Sequence, residues 1–282
     1  MAIGPALARL RTAGWFGWQV EGNWADPVLF GIYIVARPLA VAAILVAMYR
    51  SVQGSAAHSA LFAGFYIANA FHAYADRMII GLGWVIFEER EEYETLKYIC
   101  LSPMGLLVYL VGRSSVKFTL ASVSVALTLG LGWFLLGVRW DWGAVQWWPL
   151  LASLVLGLLA ALFSGLLVAG LGLVITRAAV VAFEGIALGL YLLCGVIFPI
   201  ELLPLPLRIV SYALPFTWWY EALRRFLLGH GSSASLGRLG DGQLVGVLAL
   251  VTAVFGVLAV WGFRAFEDRA RRIGRLDQTT LY

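Results

Sequence analysis

Six long apolar stretches dominate the chain, each bounded by Gly, Pro or charged residues: Pro27 to Met48, Ala56 to Phe87, Leu106 to Val138, Trp148 to Ile175, Ala178 to Phe198 and Leu244 to Phe263. A helix needs roughly 20 consecutive apolar residues to cross a hydrocarbon core. Stretches of this length and number therefore predict an all-α polytopic membrane protein with six transmembrane helices. Composition agrees, since 61% of the 282 residues are apolar and 13% charged, against roughly 45–50% and about 25% in soluble domains. That balance excludes a water-soluble globule, a disordered segment and a nucleic-acid-binding domain. Cys100 and Cys194 form no CxxC pair and the three histidines are far apart, so no disulfide framework and no metal site is implied.

The expected organisation is one transmembrane domain over residues 1–282, with spans at 27–50, 56–87, 104–138, 147–176, 178–198 and 242–264. Residues 1–26 lack a continuous apolar run and are not a signal peptide. They read as an amphipathic helix in the headgroup plane, with Leu7, Leu10, Trp15 and Trp18 on one side and Arg9, Arg11 and Gln19 wet. A frayed tail is the other reading of the same residues. An even number of spans puts both termini on one side. With that side inside, thirteen Lys/Arg lie internally and six externally, which favours both termini, and the basic tail 265–282, in the cytoplasm. The net charge of +4 then reports topology rather than an anionic ligand.

Two segments are not simple spans. In Phe87-Glu88-Glu89-Arg90-Glu91-Glu92-Tyr93-Glu94-Thr95-Leu96-Lys97, five of the chain's sixteen acids fall within seven residues. At helical spacing Tyr93, Leu96, Ile99 and Cys100 form an apolar stripe opposite them, predicting an acidic amphipathic helix over 88–102 that stops before Pro103. Inner loops are usually basic, and an acidic helix is repelled by anionic headgroups. It suits docking on a cytoplasmic protein; a solvated loop is the plainer alternative. The second segment, 199–229, is too apolar for an aqueous loop and too broken by Pro199, Pro204, Pro206 and Pro215 to span. It predicts short helices dipping into the outer leaflet, buried in protein or lining a wet cavity.

These motifs resemble those of the membrane subunits of ABC exporters of the type-2 permease family. Glu88 to Tyr98 followed by Leu101-Ser102-Pro103 is similar to the family's acidic E-R-E-x-x-T-L-[EK] stretch and its Ser/Thr-Pro break. Gly195-Val196-Ile197-Phe198-Pro199, Leu203-Pro204 and Leu214-Pro215-Phe216-Thr217 through Arg224 are similar to its final-third signature. The chain departs from the pattern at Tyr93, where glycine is common. The resemblance implies that Glu88, Glu89, Arg90, Glu91, Glu92, Tyr93, Glu94, Thr95, Leu96 and Lys97 form a cytoplasmic coupling helix seated in a cleft of an ATPase. It also implies extracellular re-entrant helices, with Pro199, Glu201, Pro204, Pro215 and Glu221 forming an outer gate, and outward transport of an amphipathic, drug-like or lipid-linked substrate.

No G-x-x-x-x-G-K-[ST] loop surrounds Lys97 or Lys117. The chain is therefore expected to be no enzyme, to carry no cofactor, and to rely on two copies of a cytoplasmic P-loop ATPase subunit that hold ATP and Mg. Six spans are few for a sealed path, so a second permease subunit, identical or homologous, is expected in the inner membrane. Ionisable residues inside spans cost roughly 2.5–3.5 kcal/mol each by insertion scales and are usually paired or face water. Arg37, His72, Asp76, Arg77 and Glu184 are such residues. They read either as a polar patch on the path or as tethers such as Arg37 to Asp76 and Arg77 to Glu184. An ion-coupled secondary transporter using His72 and Asp76 is the alternative function.

Overall fold

The computed structural model describes residues 3–22, 60–175 and 178–276, with scattered positions between 36 and 47. All regular elements among them are helical. The expected first span at 27–50, with Arg37, lies outside the described residues except at those scattered positions. In chain order the helices are α1 (Ile3–Gly22), α2 (Ala60–Phe87), α3 (Leu96–Leu101), α4 (Leu106–Leu135) and α5 (Trp147–Val174). They are followed by α6 (Ala179–Leu193), α7 (Leu205–Ala213), α8 (Pro215–Leu228) and α9 (Asp241–Arg272).

Helix α2 is the central pillar. It packs against α4, α5, α6 and α8, and Phe62, Tyr66, Ile67, Ala68, Ala75, Met78, Ile79, Leu82 and Val85 along it are fully buried. A helix apolar all round has to be surrounded in this way. Helices α5 and α9 lie parallel, with Gly256 beside Phe163 and Gly170 beside Phe263. Their outward faces leave Trp148, Val155, Leu250, Val257 and Trp261 more than half exposed. Such broad apolar faces are costly in water and suit lipid tails. Helices α4, α5 and α9 are long and apolar enough to cross a membrane.

The bundle has two ends. At one, α2 and α5 begin against α8: Arg224 lies beside Gly64, and the Gln146 N–H donates to the Phe226 carbonyl at 3.1 Å. At the other, α2 runs into the acidic segment and α5 ends beside Arg90, which donates to the Gly172 carbonyl at 3.0 Å. These are called the α8 end and the α3 end below.

Several expected boundaries are corrected. No single helix covers 88–102. Helix α2 continues into a π turn at Glu88–Glu92, closed by Tyr93 N–H to the Glu88 carbonyl at 2.9 Å. The chain then breaks at Glu94, whose φ of 51° lies in the left-handed region, before α3 starts. That region is unfavourable for a side chain with a Cβ, so the backbone cost falls on Glu94, while Tyr93 keeps an ordinary φ of −99°. Ser102 is extended before Pro103, as the proline requires. The expected fifth span, 178–198, is helical only to Leu193; 15 residues reach about 22 Å, less than the ~30 Å of a hydrocarbon core. The chain turns back at Gly195, whose φ of 72° favours glycine. The final helix runs past 264 to Arg272, and its last turns carry a Glu267–Arg271 pair one turn apart at 2.7 Å.

In the proline-rich segment, Pro199 and Pro204 precede a short 3-10 turn and α7, and Pro215 is the first residue of α8, a position where its missing N–H costs nothing. Helix α8 is almost wholly buried. Trp219 sits over Gly157, where a Cβ would come within 1.9 Å of the indole ring, so only glycine admits this crossing.

Candidate functional site

At the α3 end the acids divide into a buried set and an exposed set. Glu89 is buried and accepts hydrogen bonds from the Thr95 and Tyr109 hydroxyls. Arg90 and Glu91 are buried and paired, Arg90 Nε to Glu91 Oε1 at 2.8 Å. Arg90 also caps the last carbonyls of α5 through Gly172, and Arg275 does the same through Val174. Two guanidiniums at a helix C-terminus satisfy orphan carbonyls and oppose the negative end of the dipole. Glu88 is half-buried, 3.4 Å from Arg113 of α4. Burial pushes its carboxyl above the usual range, against the pull of Lys117 and Arg113.

Glu92, Tyr93 and Glu94 are exposed, as are Tyr98, Leu101 and Pro103, while Lys97 is half-exposed with its Nζ 5.5 Å from the Tyr98 ring centre. Leu96 points into the core. Cys100 is half-buried beside the end of α9; burial pushes its thiol up to about 11, partly offset by Arg271. The segment is thus a wedge: a largely exposed tip at 92–103 whose root is tied to α4 through Tyr109 and Arg113 and to α5 through Gly172.

Helix α1 lies along α4. Ala13 and Gly17 meet α4, a Cβ on Gly112 would lie 2.3 Å from Ala13, and Trp15 and Trp18 remain 64% and 51% exposed. The small residues, with Phe16 against Tyr109, make the protein contact, which leaves Trp15 and Trp18 exposed for an interface. Glu21 of α1 contacts Lys117 and lies 3.7 Å from Arg113.

Midway along the bundle, His72 Nδ1 and the Tyr220 hydroxyl are 2.8 Å apart, the His72 ring lies 4.9 Å from that of Tyr191, and the Tyr191 hydroxyl donates to Asn69 at 2.8 Å. These contacts tie α2 to α6 and α8. Asp76 and Arg77 are half-buried one turn further along α2, and Asp76 is close enough to influence Tyr220 electrostatically. Glu184 is exposed on α6.

At the α8 end two carboxylates hold the loop after α8. Glu221 is buried and accepts from the Ser232 N–H at 3.2 Å, the Ser232 hydroxyl at 3.1 Å and the Ser233 N–H at 3.2 Å. Glu201 Oε1 accepts from the Ser233 and Ser235 hydroxyls at 2.5 and 2.8 Å and the Ser235 N–H at 3.1 Å. Arg224 donates to the carbonyls of Gly64 at 3.0 Å and Gly195 at 2.5 Å and to the Ser232 hydroxyl at 2.7 Å, with its guanidinium 4.7 Å from the Phe65 ring centre.

Sequence reasoning missed Arg113, Lys117, Tyr109 and Glu21 as partners of the acidic segment, and Tyr191, Tyr220 and Asn69 as partners of His72. One signal was available: Arg113 and Lys117 sit four apart in an otherwise apolar run, and charges in such a run need partners. Tyr98 and Leu101 were also passed over, because their exposure follows from the break at Glu94.

The comparisons with known proteins fit this arrangement. The family model described as ABC-2 type transporter matches residues 11–228, from within α1 to the last residue of α8. No curated protein matches the chain.

Proposed function

Because the chain belongs to the ABC-2 type transporter family, and is by that membership a transmembrane permease component that works with an ATP-binding subunit, we propose that it is the permease of an ATP-driven exporter. In this reading a separate P-loop ATPase, present in two copies and holding the ATP and Mg, docks on the exposed tip at 92–103. The cargo is amphipathic, drug-like or lipid-linked, and it leaves through a path completed by a second permease, identical or homologous. The α3 end and both termini face the cytoplasm, the α8 end faces outward, and the membrane is the inner one. The ion-coupled alternative using His72 and Asp76 draws no support from the family match.

The observation that carries the proposal is the wedge itself. Tyr98 and Leu101, 65% and 81% exposed, stand on a root of buried ion pairs and hydrogen bonds. Apolar and aromatic anchors at the centre of a protein interface carry most of its binding energy, and a rigid root is what transmits their displacement. ATPase closure pulls the tip, Glu89 draws on Tyr109 of α4, and Arg90 draws on the end of α5. At the α8 end, Arg224 holds α8 against α2, Glu221 and Glu201 hold the loop that follows, and together with Pro199, Pro204 and Pro215 they form the outer gate.

Replacing Tyr98 by Ala and Leu101 by Glu together should weaken ATPase retention by roughly 100-fold, since each anchor contributes on the order of 1–2 kcal/mol. The melting temperature should stay unchanged, because both side chains are exposed. Co-purification of the full-length protein with its ATPase, in detergent, reads the first quantity, and thermal melting reads the second. Undiminished retention would refute docking at this tip.

A further inference from the structure

Arg113 on α4 has a wholly buried side chain, yet its pairing is incomplete. Its Nε and Nη1 have no hydrogen-bond partner among the described residues. Its Nη2 is shared between Glu88, at 3.4 Å, and Glu21, at 3.7 Å. A committed guanidinium–carboxylate pair closes to about 2.7–2.9 Å and often uses two parallel bonds; both contacts here are glancing. The rest of the guanidinium lies 6.0 Å from the ring centres of Phe16 and Tyr109. The guanidinium is shielded from solvent while the Glu88 and Glu21 side chains keep 25% and 18% of their exposure, so the unused donors favour any displacement that brings a carboxylate onto them.

The two carboxylates differ in what they would lose. Glu21 also contacts Lys117, so it stays neutralised when Arg113 leaves it. Glu88 stands on the π turn that joins α2 to the tip, and it moves with the tip. The stem of Arg113 is in direct contact with α1: a Cβ on Gly17 would lie 3.0 Å from Arg113 Cδ. A swing of this side chain is therefore felt by the backbone of α1.

We propose that Arg113 is a positioning residue that couples α1 to the docking tip by exchanging carboxylates. Displacement of the tip brings Glu88 onto the guanidinium, which then commits its fork to Glu88 and releases Glu21. Helix α1, whose one remaining ion pair to α4 is then Glu21 with Lys117, shifts along the small-residue seam it makes with α4. This relay rests on the docking of an ATPase at the tip, proposed above, and adds that the motion reaches α1 through one side chain.

The test is hydrogen–deuterium exchange on the full-length protein purified with its ATPase in lipid nanodiscs, with and without ATP plus orthovanadate. In the wild type, exchange should change both at 92–101 and at 8–22. In Arg113→Met and in Glu88→Gln the change at 92–101 should persist, while that at 8–22 falls by roughly fivefold or more, the lower range of coupling between distinct sites. Arg113→Lys, which keeps the charge without the fork, should also lose most of the α1 response, and it serves if the Met variant does not fold. An undiminished α1 response in Glu88→Gln and the Arg113 variants would overturn the relay. So would a wild-type response at 92–101 with none at 8–22. If neither segment responds in the wild type, docking at the tip fails first, and the relay with it.

Discussion

At the α8 end, Arg224 donates to two backbone carbonyls and a serine hydroxyl, and Glu221 accepts three hydrogen bonds from the loop it holds. At the α3 end, Arg113 has two unpartnered nitrogens and Arg90 one among the described residues, and Arg113 meets its carboxylates only at 3.4 and 3.7 Å. At the α8 end the arginine has its donors matched to acceptors, although Trp219 Nε1 and Glu201 Oε2 there lack a partner among the described residues, and that end is the more firmly tied. The other keeps donors in reserve and behaves as a joint, as a part that must move between two arrangements should.

The comparison breaks most visibly if the two arginines prove equivalent. Replacing Arg224 by Met should cost roughly 2–3 kcal/mol, because it leaves the buried carbonyls of Gly64 and Gly195 without their donor. Replacing Arg113 by Met should cost clearly less, since glancing contacts and unpaired donors return little stability. Thermal melting of the full-length variants in detergent measures both. Equal losses would show that the α3 end is as tightly tied as the α8 end.

A smaller effect sharpens the comparison through pH. Burial raises the Glu201 carboxyl, but hydrogen bonds from Ser233 and Ser235 outweigh it and bring the group below its ordinary 4.5. It therefore contributes stability that is present above pH 4.5 and is lost as pH falls through its folded value. Glu88 has the opposite sign: burial holds it above the ordinary 4.5 despite Lys117 and Arg113. Its ionisation costs stability at neutral pH, and that cost is relieved as pH falls through its folded value. Glu201→Gln should thus lower the melting temperature at pH 7, with the gap to wild type closing on acidification below 4.5. Glu88→Gln should lower it less or raise it. Two gaps of the same sign and size would contradict the assignment of environments.

Much of the fold was legible because its causes are local. Apolar runs set α2, α4, α5 and α9, and Pro103, Pro204 and Pro215 placed helix ends through backbone sterics. The acidic motif located the α3 end and carried the family resemblance. The burial of Glu89, Arg90 and Glu91 was not legible, because their partners Tyr109 and Gly172 lie 20 and 82 residues away. On a helical wheel the five acids spread over about 220°, so the wheel does not separate the buried acids from the exposed ones. The π turn rotates three residues inward, and the left-handed Glu94 then re-aims the chain so that Tyr98 and Leu101 face outward. The fifth span read long for a related reason: apolar residues 194–198 continue the pattern of α6, but Gly195 turns them back to pack under α8. Small residues four apart, a spacing that lets helix backbones approach closely, show the same limit. Gly165 meets the Met78 carbonyl closely, whereas Gly185, Gly189, Gly242 and Gly246 have open space around them, though the spacing is identical.

The most direct measurement is site-specific photocrosslinking in native membranes, with benzoylphenylalanine at Tyr98 of the α3 tip and, separately, at Trp148 near the α8 end. Both side chains are well exposed, at 65% and 84%. Tyr98 should yield an adduct with a P-loop ATPase, and Trp148 should yield none with it. Recovery of the ATPase from Trp148 but not from Tyr98, or from neither, would contradict the account.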